Sequence, residues 1–408
     1  MKLSRRNLLS GATAGTLASL GPGLNVAFGA DTRDVLVVIF QRGACDWLQM
    51  LSPAGDSNYI AARPSIRVQT SGATAGIGIG SMGSTDFYLS NAAPELKALY
   101  DAGSLAFVQA TGLKTTDRSH FTVQDMMERG FTDGEIAAHS GWLARHLASL
   151  GGKLPTLSTV AASSSTPTAL LTNSATVAIA NVASFAVQGG TTNANLLRAM
   201  NQSNGATPSA YKQLANDTLS AVTSVQASLA GLDNSGAAAA GYTNGALSQP
   251  LRSVAQLIKM NVGLTVATID YGGWDMHNSL VSEFNTRTLE FSRAINAFWT
   301  DIAAYRSNVT VVTMTEFGRR LQENTSQGTD HGSASGMLVL GGNVNGGRIY
   351  GTWPGLAPSQ LYAGDLAVTT DYRQVLAEII TKRHGESDLS KVFPTVKYAP
   401  LGIVNAPA

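Results

Sequence analysis

Apolar residues in this chain gather in short unbroken runs, separated by longer stretches with helical spacing. The run from Asp34 to Phe40 is continuous and rich in β-branched residues, which predicts a strand buried on both faces. Ser104 to Ala110 predicts a second strand, and residues 262–270, 308–314 and 337–342 predict three more. Shorter runs at 155–160, 168–171 and 176–180 also read as strands. Helical patterns fall between them, at 93–102, 141–150, 250–260, 282–305 and 371–385, the last ended by Gly385. A further helix starts near His120, with Asp117 or Ser119 as its cap. In 282–305, Phe284, Leu289, Phe291, Ile295, Phe298 and Ile302 share roughly one face. Strands alternating with helices predict an α/β fold, a mainly parallel sheet flanked by helices on both faces. Residues 190–245, rich in Ala, Asn, Ser and Gln, read as a helical insertion or lid that ends in a loop over 234–245.

The N-terminus changes the picture. Ser4-Arg5-Arg6-Asn7-Leu8-Leu9 resembles a twin-arginine export signal. Residues 11–30 follow without a charge, rich in Gly and Ala and interrupted by Pro22. They lack the roughly 20 strongly apolar residues of a membrane anchor. Small residues around Ala27-Phe28-Gly29 suit cleavage after Gly29 or Ala30. Residues 1–30 are therefore read as a signal peptide, and 31–408 as one α/β domain, periplasmic or secreted. The translocase of the twin-arginine pathway would be its partner during export. The competing reading is a disordered N-terminus with a chance Arg-Arg pair.

Composition narrows the function. The 408 residues suffice for a large core. With a net charge of +1 and 13% charged residues, there is no basic stripe to recommend nucleic acid as a partner. Cys45 is the only cysteine, so no disulfide forms within the chain. No base stands beside it, and it reads as a small buried residue.

Polar residues cluster just after the predicted strands. Asp46 follows the first, and Ser119 and His120 follow the second. Asp275 and His277 follow the strand ending at Asp270, and Glu316 follows the one ending near Met314. Ligands of open α/β sheets bind beyond the carboxyl ends of strands. Gly272, Gly273, Gly318 and Gly332 suit loops whose backbone approaches a ligand closely. Asp330-His331 adds a further pair before the strand at 337–342. Carboxylates and imidazoles are the usual ligands of Zn²⁺, Mn²⁺ and similar ions. Asp275-x-His277 puts both side chains on one side of an extended segment, whereas Asp330 and His331 share a metal only if their loop bends. Simpler roles compete at each position. Asp46 and Ser119 could be helix or turn caps, and Glu316 could pair structurally with Arg319 or Arg320. His139, His146 and His384 sit on predicted helices and read as solvated or structural.

Taken in order, FQRGACDWLQMLSP, DRSHFTVQDMMERG, GGWDMH, TEFGRR and GTDHG, followed by MLVLGG and GGRIYG, resemble the family called domain of unknown function 1501. The resemblance spans nearly the whole mature chain apart from 190–245. That family is placed in the alkaline phosphatase and sulfatase superfamily. What this implies is an alkaline phosphatase-like fold and a two-metal hydrolase of phosphate or sulfate esters. Asp46 and the Asp330-His331 pair would hold one ion, and Asp275 with His277 the other, as Zn, Mn or Ca. Ser119, at a helix N-terminus, would be the nucleophile, and Glu316 and Arg319 would orient the ligand or the groups behind it. The chain departs from the superfamily in the short Asp275-x-His277 spacing. It also lacks a late third histidine outside a helix, for which His120 is the substitute. Ser90-Asn91 stands where many relatives have Leu-His. Two other readings remain open. One is a non-catalytic exported binding or assembly factor with a co-encoded exported partner, and the other is a structural surface protein.

Overall fold

The structure is a computed structural model. It describes residues 34–407 except 134, 136–138, 152–153, 156, 186–193 and most positions from 197 to 224. The predicted signal peptide at 1–30 lies outside the described residues, as does much of the predicted insertion at 190–245.

The first strand, β1 (Val35–Gln41), lies near the middle of the main sheet. It pairs in parallel with β8 (Val266–Tyr271) on one side and β9 (Val309–Met314) on the other. Beyond β8 come the short strands β6 (Thr159–Ala161) and β7 (Val177–Ala178), both parallel. Beyond β9 come β10 (Ser335–Gly341) and β5 (Leu105–Gly112). Edge strands β11 (Arg348–Tyr350) and β12 (Thr370–Asp371) then pair in parallel with β5. A second small sheet combines β2 (Leu51–Ser52) with the hairpin β3 (Ile77–Met82) and β4 (Thr85–Leu89).

The alternation along β1 shows why it is central. Val35, Val37 and Ile39 enter one core, and Leu36, Val38 and Phe40 enter the other. Helices α3 (Pro94–Asp101), α7 (Ser248–Lys259) and α8 (Leu280–Asp301) cover the first face. Leu96 and Leu99, Leu251 and Val254, and Phe284 and Phe291 pack there. Helices α4 (His120–Arg129), α5 (Trp142–Ser149) and α9 (Tyr372–His384) cover the second, through Val123 and Met127, Trp142 and Leu147, and Val375 and Ile379. Each such side chain contributes about 1.5–3 kcal/mol when fully buried. Short helices α1 (Trp47–Met50), α2 (Ser57–Ala62) and α6 (Ser235–Ala240) occupy connecting segments.

Several details depart from expectation. Residues 168–170 form a 3₁₀ turn instead of a strand, with Ala169 and Leu170 buried against α4 and α5. The loop expected over 234–245 contains α6. Leu289 is only half-buried in α8, and Thr288 takes the inward position. Among the described residues, no helix is long and apolar enough to cross a membrane.

One strand direction determines where the chemistry collects. β10 runs antiparallel to both β9 and β5. Residues 315–334, which join β9 to β10, contain no helix, so the chain leaves and re-enters the sheet at the same edge. A parallel partner would have required a crossover to the far edge. The Asp330-His331 segment therefore sits with the carboxyl ends of β1, β5, β8 and β9.

Candidate metal centre

Three histidines meet at that edge, each held from behind by an oxygen. His120 opens α4, and its Nδ1 lies 2.7 Å from Glu316 Oε1. His331 has its Nδ1 2.8 Å from the carbonyl oxygen of Arg118. His277 has its Nδ1 3.0 Å from Asp330 Oδ1. A carbonyl or an ionised carboxylate can only accept, so each Nδ1 is the donor and each neutral ring is left with a lone pair on Nε2.

Those three Nε2 atoms face one another. His331 Nε2 is 3.0 Å from His120 Nε2 and 3.1 Å from His277 Nε2. Asp275 joins them, with Oδ1 3.2 Å from His331 Nε2 and 3.0 Å from His277 Nε2, and Oδ2 3.4 Å from His120 Nε2. Unshared lone pairs at such separations repel unless a cation lies between them. Tetrahedral zinc, with bonds of 2.0–2.1 Å to nitrogen, separates its ligands by about 3.3 Å. The spacing and the donor chemistry therefore fit a divalent ion held by His120, Asp275 and His331, whose ligand atoms all lie within 4.8 Å of one another. His277 stands at the rim. Nδ1 bonding to an oxygen acceptor is the usual orientation of a metal-ligating imidazole.

Electrostatics favour the same occupant. Burial alone would raise the Asp275 carboxyl, but the hydrogen bond and positive charge of Arg319 hold it at about 2. Glu316 is fully buried, which also works against its charge. Bonds from His120, Gln124 and the Gly43 amide outweigh this and lower its pKa. Asp330 is lowered mainly by its bond from His277. The Glu316 hydrogen bond raises His120, while burial lowers His331. Among the described residues, three ionised carboxylates thus face one permanent cation, Arg319, and with neutral imidazoles the cluster carries excess negative charge. Phe317 lies beneath, its ring centroid 5.0 Å from those of both His120 and His331.

Arg319 is a buried hub. It donates to the carbonyls of Gly43, Ala44, Trp274 and Thr329 and to Asp275. It thereby joins three loops and reaches no solvent of its own, so it positions Asp275. Gly332 allows the return loop to pass: a Cβ there would lie 2.3 Å from the carbonyl carbon of Arg319. Gly318 and Gly332 were expected to admit a ligand, but both close contacts are to protein backbone.

Asp46 does not join this group. Its oxygens lie 3.0 and 2.9 Å from Arg63 Nη1, and they also accept from the Gln49 amide and the Thr329 hydroxyl. Asp46 and Arg63 are both buried, so the carboxylate caps α1 and neutralises an internal guanidinium in place of the expected metal ligation. Asp330 is likewise placed behind His277, accepting also from Asn324, and not among the three converging ligands. Ser119 occupies the N-cap position of α4, is exposed, and makes no capping bond with its side chain. Asp117 Oδ1 accepts from its amide at 2.7 Å. The two-ion arrangement implied by the resemblance reduces here to a single converging group among the described residues. Sequence reading missed Arg63 and Gln124. Gln124 was detectable, since it lies one helical turn after His120 and shares its Glu316 partner.

A mainly parallel α/β sheet with a histidine–carboxylate cluster at its carboxyl edge defines the class of protein. The chain belongs to the family described as protein of unknown function (DUF1501), whose model matches residues 33–385. No curated protein matches the sequence. Among solved structures, the periplasmic domain of EptC from Escherichia coli in complex with Zn is similar at 10% identity and a TM-score of 0.36, over 79% of this chain and 77% of that one. The lipoteichoic acid synthase LtaP from Listeria monocytogenes is similar at 10% identity and a TM-score of 0.34, over 85% and 78%. Alkaline phosphatase from the Antarctic bacterium TAB5 is similar at 12% identity and a TM-score of 0.28, over 75% and 90%.

Proposed function

We propose that this protein is a metal-dependent hydrolase of phosphate or sulfate esters, exported by the twin-arginine pathway to the periplasm or beyond. The observation that carries the reading is the convergence of three Nε2 atoms and the Asp275 carboxylate, each imidazole having its Nδ1 bonded to an oxygen. A divalent ion in that position supplies Lewis acidity toward an ester oxygen and lowers the pKa of a nearby hydroxyl. His120, Asp275 and His331 hold it, and His277 closes the rim. Glu316 and Asp330 orient His120 and His277, and Arg319 orients Asp275. Ser119, adjacent in sequence to His120 and exposed, is the nucleophile in this reading. The side chains of Asp275 and His277 are 46% and 42% exposed, so the cluster is open to an incoming ester.

The non-catalytic reading, an exported binding or assembly factor, draws support from Ser119 itself. Among the described residues, no base is hydrogen-bonded to its hydroxyl. Hydrolysis of phenyl phosphate and phenyl sulfate by protein loaded with Zn²⁺ or Mn²⁺ separates the two. Turnover abolished by Ser119→Ala supports the hydrolase. No turnover with either ion, with metal bound, supports the binding role.

A further inference from the structure

Helix α4 carries His120, Gln124 and Glu128 at four-residue intervals, which places them on one face. His120 and Gln124 both donate to Glu316 Oε1, each at 2.7 Å. Gln124 and Glu128 both accept from Arg42 Nη1, at 3.3 and 2.9 Å. Arg42 directly follows β1 and is anchored on its other side by Asp270 of β8, whose Oδ1 lies 2.9 Å from Nε and 2.8 Å from Nη2. An unbroken chain of hydrogen bonds therefore runs from Asp270 through Arg42, Gln124 and Glu316 to His120.

The amide in the middle of this chain has one workable orientation. A guanidinium can only donate, and an ionised carboxylate can only accept. With Arg42 on one side, Oε1 of Gln124 faces the guanidinium, and the NH₂ group then faces Glu316. The reversed amide would set N–H groups against a cation and a carbonyl oxygen against a carboxylate. Arg42 thus fixes Gln124 as a donor to Glu316. Glu316 in turn accepts from Nδ1 of His120, which leaves Nε2 for the ion. The side chain of Arg42 bonds to Asp270, Gln124 and Glu128, none of which converges on the ion position.

We infer that Arg42 is a positioning residue of the metal centre, acting through Gln124 on Glu316 and so on His120. The inference rests on the metal centre proposed above and not on its hydrolytic use. If Arg42 acted only as a charge, its removal would strengthen the binding of a divalent cation at this anionic site. Loss of positioning weakens that binding. The two effects differ in sign.

The test measures the Zn²⁺ affinity of metal-stripped mature protein by competition with a chromophoric chelator, in wild type, Arg42→Met, Gln124→Met and the double variant. Arg42→Met is expected to weaken zinc binding about tenfold. In Gln124→Met the same substitution is expected to change nothing further, because the residue it acts through is gone. Glu128 is buried, and Arg42→Met leaves its charge without that partner. If this variant does not fold, Glu128→Gln is added to all four proteins and the comparison is repeated. Unchanged or tighter zinc binding in Arg42→Met overturns the inference, and so does an equal loss with and without Gln124. Turnover of phenyl phosphate is followed on the same proteins. Zinc binding with the expected pattern but no turnover defeats the hydrolase reading and leaves the inference standing. Turnover in wild type with a zinc affinity independent of Arg42 defeats the inference alone. A wild type that binds no zinc removes both.

Discussion

Nε2 of His120 and Nε2 of His331 stand 3.0 Å apart, and each ring already has its Nδ1 engaged with an oxygen. The two residues come from opposite parts of the chain, one opening α4 and the other in the return loop before β10. Two imidazoles arranged this way need a proton or a metal ion between them, and the surrounding carboxylates favour the ion of higher charge.

The carboxylate behind His120 should matter almost as much as the histidine. Glu316→Gln keeps the shape but weakens the acceptor that fixes the Nδ1 proton. Zinc affinity, read by competition with a chromophoric chelator, is expected to fall about 10–100-fold. Unchanged affinity in a folded variant would remove Glu316 from the site.

Asp46 should behave as a structural residue. Removing one partner of a buried ion pair typically costs about 3–5 kcal/mol, because the other charge is left unpaired. Asp46→Asn and Arg63→Met are each expected to lower the midpoint of urea unfolding, while the purified variants keep their bound metal. Loss of metal at unchanged stability in Asp46→Asn would restore Asp46 as a ligand.

A pH dependence is expected far from the metal centre. Burial disfavours the Glu386 carboxylate, but bonds from His146, Ser149 and the Asp388 amide hold its pKa at about 2, below the ordinary 4.5. The depressed value means that this group contributes stability above the unfolded pKa, and that the contribution is lost as pH falls from 4.5 toward 2. Glu386→Gln should therefore lower Tm at neutral pH, with the gap to wild type closing through that acid window. A gap that stays constant down to pH 2 would contradict the assignment.

Much of the fold was legible because β1, β5, β8 and β9 are short, continuous apolar runs buried on both faces. The strand expected over 168–171 failed because Pro167 and the buried Leu170 suit a 3₁₀ turn as well, and periodicity does not separate the two over so few residues. Within the site, the segments carrying His120, Asp275, His277 and His331 were identifiable from their positions after or before strands. Their division into ligands and supports was not. Asp46 looks the same in sequence as Asp275, yet Arg63, 17 positions later, takes up its charge. The direction of β10 was the other hidden variable. Only the lack of helical periodicity in 315–334 hinted that the Asp330-His331 loop returns to the same edge.

The glycine in that loop gives a stringent check of the backbone geometry. A methyl group at Gly332 would meet the carbonyl carbon of Arg319 at 2.3 Å, in a place where neither segment can yield easily. Gly332→Ala is expected to displace His331 and to abolish zinc binding while the sheet, followed by far-ultraviolet circular dichroism, stays intact. Zinc binding equal to wild type would show that the loop lies elsewhere.

Isothermal titration of metal-stripped protein with Zn²⁺, in wild type and His331→Ala, addresses the metal centre itself. Wild type should take up about one ion per chain, and His331→Ala, which removes the imidazole shared by both other histidines, should take up none. Equal binding by the two proteins, or no binding by either, would contradict a metal site built on His120, Asp275 and His331.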